Sequence, residues 1–182
     1  MLKPVKKKIG ILGGSFDPPH KGHVEISKIS FKKIKLKKIF WVVTKKNPLK
    51  KKPLFSLKTR VSKVEKSIKK YENIQVLYLD DKIKSSNTID VINYFRRVKK
   101  QKNLYLILGS DNLLNFHKWT SWKKIVKLTK LVVFSRKGYD KRSKESIVVK
   151  YLNKKKNIIY INNKPINISS TNIKKNYLNR SK

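Results

Sequence analysis

Two histidines near the start of the chain, His20 and His23, follow a turn that is rich in glycine and proline. Residues three apart share one face of a helix's first turn, and a helical pattern begins near Gly22. Backbone N–H groups at a helix start favour anions, and imidazole N–H groups beside them add further donors. The pair therefore predicts a phosphate site, although such histidines can also be ordinary helix caps.

The turn before these histidines runs Gly13-Gly14-Ser15-Phe16-Asp17-Pro18-Pro19 and follows an apolar strand predicted over residues 9–12. Glycines lack the Cβ that would block a tight turn or a close ligand, and prolines stiffen the corner after them. The whole string resembles the (T/S)-F-D-P-x-H-x-G-H signature of the nucleotidyltransferases related to class I aminoacyl-tRNA synthetases. The resemblance favours the catalytic interpretation over the cap.

A second polar turn, Gly109-Ser110-Asp111, follows the apolar run 104–108. Its glycine allows a ligand to approach the backbone, and its aspartate can accept a hydrogen bond from a hydroxyl. Taken alone, Ser110 or Asp111 is better explained as a helix cap. The continuation to residue 125 resembles the G-x-D-x-L-x-x-F-x-x-W-x-x-W-x-x-I stretch of bacterial nicotinate-nucleotide adenylyltransferases.

That resemblance implies roles for this second stretch. Gly109 and Asp111 would help to hold the adenosine part of ATP, while Trp119, followed by Thr120, would stack on the pyridine ring of the other substrate. Trp122 and Phe116 are expected in the core.

Residues 168–174 place three hydroxyls, those of Ser169, Ser170 and Thr171, at a predicted helix start, with Lys174 one turn further on. Hydroxyls, free N–H groups and a cation there suit an anion, although a plain cap is common. The stretch resembles the family's I-S-S-T-x-I-R motif, which implies binding of the triphosphate and then of pyrophosphate. Lysine in place of arginine keeps the charge but loses the bidentate fork, so we expect a weaker contact.

Two further stretches resemble the segments of that family that meet the mononucleotide. Residues 86–90 resemble S-Y-T-x-D-T-L, with the tyrosine missing, which implies that Thr88 lies near the nicotinate. Residues 41–50 resemble W-x-x-x-x-x-N-P-x-K, which implies that Asn47 and Lys50 meet the mononucleotide's phosphate.

Strand-like apolar runs alternate with helical patterns along the chain, as is typical of βαβ units. This pattern predicts a single Rossmann-like, doubly wound α/β domain over 1–182, with a mainly parallel sheet of five or six strands and a frayed tail at 179–182. The predicted strands are 9–12, 39–43, 74–79, 104–108, 131–134 and 158–161. The predicted helices are 22–35, 56–70, 88–98 and one around 146–152. Ligands gather at the carboxyl ends of such strands, where the polar stretches lie.

The formal charge of +38 is the other prominent feature of the sequence. Such a charge suits a nucleic-acid binder, but the excess is scattered lysine and only six residues are arginine. We therefore predict a solvated lysine coat and no specific nucleic-acid partner. The absence of cysteine excludes disulfides and thiolate metal sites. The apolar runs are strand-sized, and the run after the basic residues 1–8 is too short for a signal peptide. We expect a cytoplasmic protein with no membrane partner.

Taken together, the resemblance implies adenylyl transfer from ATP to nicotinate mononucleotide, giving nicotinate adenine dinucleotide and pyrophosphate in NAD biosynthesis. His20 and His23 would be catalytic, and the ATP contacts would include Gly13, Gly14, Ser15 and Phe16. Mg²⁺ would accompany ATP, held mainly by phosphates and water, with no metal site of the protein's own. The alternatives are another nucleotidyltransferase with the first motif, such as a nicotinamide-mononucleotide, phosphopantetheine or cytidylyl transferase, or a basic nucleic-acid-binding module. The oligomeric state is left open.

Overall fold

A six-stranded parallel sheet forms the middle of the molecule in the computed structural model, which describes residues 7–47, 49, 51–152, 157–163 and 170–180. Its strands are β1 (Ile9–Gly14), β2 (Lys38–Val43), β3 (Ile74–Tyr78), β4 (Leu104–Gly109), β5 (Lys130–Phe134) and β6 (Ile158–Ile161). The strand order is β3-β2-β1-β4-β5-β6, and every neighbouring pair is parallel. This order reverses direction between β1 and β4, which defines a doubly wound sheet with its switch point there. The predicted fold class and strands are confirmed.

Helices cover both faces of this sheet. They are α1 (Lys21–Ile34), α2 (Leu57–Ile68), α3 (Asp80–Ile83), α4 (Thr88–Arg97), α5 (Ser110–Leu114), α6 (Trp122–Leu128), α7 (Asp140–Lys144), α8 (Ile147–Leu152) and α9 (Ser170–Arg180), with a 3₁₀ turn at Phe116–Lys118. The four predicted helices are confirmed with small shifts at their ends. Helices α3 and α7 were not predicted, and α5 and α6 were predicted only as helix starts, because elements of one or two turns are too short to show a helical period. No helix within the described ranges is long and apolar enough to cross a membrane.

Alternate residues of the central strands point into two separate cores, as the two-residue period of a strand requires. Leu106 packs with Phe95 of α4 and with the buried side chains of α5, α6 and α8. Its neighbour Ile107 packs on the opposite face with Trp41 and with Val64 of α2. Because both faces of the sheet are covered, its strands read as continuous apolar runs in the sequence.

The glycines of the first motif are strand residues, which corrects the prediction that they form a turn. Strand β1 continues to Gly14, and Gly13 and Gly14 pair with Val42 and Val43 of β2. The reversal comes later, at Phe16, whose φ is +46°. A Cβ added at Gly13 would meet no atom within 4 Å. The value of this glycine is therefore the open space that it leaves at the end of the strand.

Residues 179 and 180 of the predicted frayed tail at 179–182 belong to helix α9, and fraying of the tail stays a prediction. Helix α9 continues to Arg180, and the ring of Tyr177 packs edge-on against Phe55 at 5.2 Å between centroids. This contact anchors the last turns of the helix. Residues 181 and 182 lie outside the described residues.

Candidate active site

The two histidines form a reciprocal cap at the start of α1. His20 has extended backbone dihedrals (φ −148°, ψ 169°), and its Nδ1 accepts a hydrogen bond from the Gly22 N–H at 3.1 Å. In return, Nδ1 of His23 accepts from the His20 N–H at 3.2 Å, and the two ring centroids lie 3.9 Å apart. This arrangement is a capping box built from histidines. The cap interpretation of the sequence is therefore correct as a description of the structure.

The cap also determines where His20 carries its proton. Because Nδ1 accepts a hydrogen bond, the proton of the neutral ring sits on Nε2, which can donate to a phosphate oxygen. Burial lowers the pKa of His20 to about 4, and the positive charge of Arg136 adds to the shift. At neutral pH His20 is thus an uncharged donor, so capping and phosphate binding are compatible roles of one ring.

The ring of Phe16 packs against the ring of His23. Phe16 is only 2% exposed, its ring stacks on Trp41 at 5.1 Å, and the His23 ring lies 5.0 Å away. The Trp41 indole in turn donates to Ser27 Oγ at 2.9 Å. A ligand contact of Phe16 would therefore come from its backbone, and its ring serves to hold His23.

Asp17 is a buried carboxylate that ties this corner to a distant loop. It is 2% exposed and accepts from the N–H groups of Leu54 at 2.9 Å and Phe55 at 3.0 Å. Burial alone raises the pKa of Asp17. The two N–H donors, with Lys174 beside them, outweigh burial and hold that pKa below its ordinary value, so the carboxylate is charged.

The start of α9 lies against the same corner, which is formed by residues 16–23 and which we call the histidine corner. Lys174 Nζ is 3.0 Å from Asp17 Oδ2, and Ser170 Oγ donates to the Pro18 carbonyl at 3.0 Å. The structure therefore brings Ser170 and Lys174 to the histidine corner, as expected of a shared phosphate site. Ser169 and the side chain of Thr171 lie outside what the structure describes.

A second corner lies beside the first, at the carboxyl end of β4. It is formed by residues 109–111 with Arg136, and we call it the aspartate corner. Asp111 Oδ2 accepts from Arg136 Nη1 at 2.7 Å. A Cβ at Gly109 would lie 2.5 Å from Asp111 Oδ1, so only glycine lets this carboxylate fold back against the strand end. Among the described residues, the buried Oδ1 has no hydrogen-bond partner. Ser110 and Asp111 do not cap α5, because Ser110 Oγ instead accepts from the Arg136 N–H at 3.1 Å.

The two stretches expected at the pyridine ring also come together. Thr88 is the first residue of α4, and its neighbour Asn87 accepts from Thr120 Oγ1 at 3.1 Å. Trp119, beside Thr120, is partly buried and stacks on Phe116 at 4.7 Å between centroids. Phe116 is fully buried, which confirms its expected place in the core.

The loop after β2 is described only in part. Asn47 Oδ1 accepts from the Leu49 N–H at 2.9 Å, so this side chain holds its own turn. Lys50 lies outside the described residues.

Comparison with known proteins identifies the family of this site. Residues 11–176 match the model of a family described as cytidylyltransferase-like. A probable nicotinate-nucleotide adenylyltransferase of Pelagibacter ubique (strain HTCC1062) is 47% identical over 174 residues, which cover 96% of this chain and 96% of that protein. The chain belongs to the nicotinate-nucleotide adenylyltransferase family. The family expected from the sequence is confirmed.

More distant members of the nicotinate-nucleotide adenylyltransferase family agree. A probable member from Endomicrobium trichonymphae is 31% identical over 169 residues, 92% of this chain and 84% of that protein. The solved structure of the Plasmodium falciparum nicotinic acid mononucleotide adenylyltransferase complexed with NaAD has a TM-score of 0.71 at 21% identity, covering 93% of this chain and 83% of that one. At that identity the likeness supports the fold.

No role was predicted from the sequence for Arg136, which lies in the candidate site. Arg136 follows β5, and its N–H donates to Asp140 Oδ1 at 2.9 Å. Its guanidinium lies near enough to lower the pKa of His20. The signal that could have found it is compositional. In a chain whose basic residues are nearly all lysine, an arginine at a strand's carboxyl end marks a position where the fork of donors is needed.

Proposed function

We propose that this chain transfers the adenylyl group of ATP to nicotinate mononucleotide, releasing nicotinate adenine dinucleotide and pyrophosphate, as a cytoplasmic step of NAD biosynthesis. The observation that carries the proposal is the meeting of three groups of hydrogen-bond donors and cations at the carboxyl edge of the sheet. They are the histidine corner after β1, the Arg136 guanidinium after β5 and the first turn of α9. Membership of the family supports the choice of substrates.

In this reaction a phosphate oxygen of the mononucleotide attacks the α-phosphorus of ATP. The bond from the α-phosphorus to the bridging oxygen breaks, and pyrophosphate leaves with the electron pair. No general base is needed, because the attacking phosphate is already ionised. The protein contributes position and stabilisation of developing charge.

The charged and polar groups of the site suit that division of labour. We assign the Nε2–H of His20 and the ring of His23 to the phosphoryl oxygens, where charge develops in the transition state. Arg136 and Lys174 are assigned to the triphosphate and the leaving pyrophosphate, where Arg136 supplies a fork of donors and Lys174 a single ammonium. Ser170 adds a hydroxyl on the same side.

The adenosine part of ATP is assigned to the second corner. The Oδ1 of Asp111, which has no hydrogen-bond partner among the described residues, is an acceptor that suits a sugar hydroxyl, and Gly109 leaves the space in which this carboxylate folds back. Trp119, Thr120 and Thr88 are assigned to the nicotinate ring, with Asn47 and Lys50 at the mononucleotide's phosphate. The contact between Thr120 and Asn87 supports a shared pocket.

Mg²⁺ is assigned to ATP rather than to a site of the protein. In the part of the chain that the structure describes, no three His, Asp or Glu side chains come together as metal ligands. Two carboxylates of the candidate site, Asp17 and Asp111, are each paired with a cation. This donor set suits an ion held by phosphate oxygens and water.

The test is an assay of the purified chain with Mg-ATP and, separately, nicotinate mononucleotide, nicotinamide mononucleotide and phosphopantetheine. Pyrophosphate and the adenylylated product are measured, and CTP replaces ATP in a parallel set. We expect the highest kcat/KM with ATP and nicotinate mononucleotide. A higher kcat/KM with another acceptor or with CTP would contradict the proposal.

A further inference from the structure

Arg60 of α2 is a buried arginine outside the catalytic groups named above. It is only 2% exposed, so its charge must be compensated inside the protein. Its guanidinium donates to four backbone carbonyl oxygens: Ser15 at 2.6 Å, Thr44 at 2.7 Å, Phe55 at 3.1 Å and Lys45 at 3.2 Å. Five N–H groups in a rigid fork suit such a set of acceptors, and a lysine has only three.

These carbonyls belong to segments that serve different substrates. Ser15 lies in the ATP-binding turn after β1, whereas Thr44 and Lys45 open the loop after β2 that leads to Asn47. One Nη1 atom of Arg60 contacts both the Ser15 and the Thr44 carbonyls. Beyond the last sheet hydrogen bond between the two segments, from the Thr44 N–H to the Gly14 carbonyl at 3.0 Å, this guanidinium continues the connection between the two loops.

Asp80 makes a similar connection one strand further on. It is buried at the start of α3, and its Oδ2 accepts from the Lys45 N–H at 2.7 Å and from Thr44 Oγ1 at 3.0 Å. The same oxygen accepts from Ser86 Oγ at 2.5 Å, two residues before Thr88. Asp80 thus joins the two segments that are assigned to the mononucleotide.

We propose that Arg60 and Asp80 are positioning residues that set the distance between the two bound substrates. Arg60 holds the mononucleotide loop against the ATP loop, and Asp80 holds that loop against the segment before α4. In-line attack requires reacting atoms about 3–3.5 Å apart, and a misplacement of about 1 Å costs on the order of 10² in rate. The inference rests on the proposed function, because it assigns the loops to the substrates of that reaction.

A purely stabilising role predicts a different result. Loss of such a residue would reduce the folded fraction and leave both KM values unchanged for the molecules that remain folded. The positioning role predicts a division between substrates. Arg60 contacts both loops and should affect both substrates, whereas Asp80 should affect the mononucleotide alone.

The experiment compares Arg60→Lys and Asp80→Asn with Val64→Ala, a control on the same helix as Arg60 whose side chain is buried in the core. Kinetics are measured well below each thermal midpoint, and rates are expressed per folded molecule. For Arg60→Lys we expect kcat/KM toward both substrates to fall on the order of 10². For Asp80→Asn we expect a markedly higher KM for nicotinate mononucleotide with an unchanged KM for ATP. Val64→Ala should lower the midpoint and leave both KM values unchanged.

The proposal is wrong if the two variants match Val64→Ala in kcat per folded molecule and in both KM values. Should Arg60→Lys fail to fold, the division between substrates in Asp80→Asn decides. Hydrogen exchange of peptides covering 13–17 and 44–47 gives a readout that needs no activity. Faster exchange there in either variant than in Val64→Ala supports the tethering, and equal exchange overturns it. If the wild-type chain makes no dinucleotide, the proposed function fails, and the exchange result still reports on the tether.

Discussion

The two corners beside the switch point are built in different ways. In the histidine corner after β1, backbone N–H groups hold both imidazoles and the Asp17 carboxylate, and Asp17 is almost fully buried. In the corner after β4, Asp111 is held by one guanidinium that is 46% exposed, and its second oxygen has no partner among the described residues.

This difference follows what each corner is assigned to do. Donors aimed at charge that develops in the transition state must be fixed before the reaction, because reorganisation would add to the barrier. Groups that bind the sugar and the triphosphate of the bound substrate can adjust when the substrate arrives. The histidine corner is therefore expected to be sensitive in turnover and in folding, and the aspartate corner mainly in substrate affinity.

The largest expected effect comes from removing a histidine. His20→Ala and His23→Ala should each lower kcat on the order of 10²–10³. Each should also lose about 1 kcal/mol of stability, because the capping box is broken. From the sequence, cap and catalysis are alternatives, whereas the geometry of the cap makes the two roles compatible, so we expect both effects together.

His20→Asn separates the two effects, because asparagine is a good N-cap but has no group at the Nε2 position. We expect a thermal midpoint near that of the wild type and a collapsed kcat, measured by pyrophosphate release at saturating substrates. Near-native turnover in His20→Asn would show that the corner is only a cap.

Arg136→Ala tests the aspartate corner. We expect KM for ATP to rise by the equivalent of about 1.5–3 kcal/mol, the range for a hydrogen bond to a charged group. The midpoint should barely change, since a half-exposed ion pair contributes about 0–1 kcal/mol. Arg142→Ala, an exposed arginine on α7, is the matched control. Equal KM values in the two variants would remove Arg136 from the site.

Trp119→Ala tests whether nicotinate mononucleotide is bound by a residue outside the two corners, which are assigned to ATP. Loss of a stacking ring should weaken nicotinate mononucleotide binding by about 1–3 kcal/mol, by analogy with base–aromatic stacking. KM for ATP should stay the same. Trp122→Ala removes a partly buried tryptophan that packs on Tyr151 and serves as the control. A rise in KM for ATP, or no change in either KM, would contradict the assignment.

Lys174→Arg should sharpen the comparison by strengthening the α9 contact. The added fork can bind a phosphate in bidentate fashion, so we expect a severalfold lower KM for ATP. Stability should change little, because Asp17 retains the N–H groups of Leu54 and Phe55 in either variant. An unchanged KM, measured beside Lys175→Arg on the same helix, would indicate that Lys174 serves Asp17 alone.

The last prediction concerns the pH dependence of stability, which requires no change in the site. The pKa of His20 is about 4 in the folded chain and near 6.5 when unfolded, so the folded state binds fewer protons between these values. The contribution of His20 to the free energy of unfolding is complete above about pH 6.5 and is lost as the pH falls toward 4. Thermal midpoints of wild type and His20→Asn at pH 7.5, 5.5 and 4.5 test this. As the pH falls, the midpoint of the wild type should fall further than that of His20→Asn. Parallel curves would contradict the lowered pKa of His20.

The parts of the molecule that could be predicted from the sequence are those with a local signature. The strands are continuous apolar runs, and the histidine and aspartate corners are short strings with a fixed order of residue types. Arg60 and Asp80 could not be predicted, because they act on backbone groups of distant segments and leave no pattern beside them. The pairing of Lys174 with Asp17 was missed for the same reason.

The contacts between α9 and the histidine corner have a consequence for the order of events during synthesis. Pro18 and Asp17 precede their partners Ser170 and Lys174 by 152 and 157 residues, and all six strands are translated before α9. Because chains fold progressively as they leave the ribosome, the sheet can assemble while the phosphate-binding corner still lacks its last cation. Released chains that end before Ser170 should therefore be folded but inactive, and activity should appear only in chains that include α9.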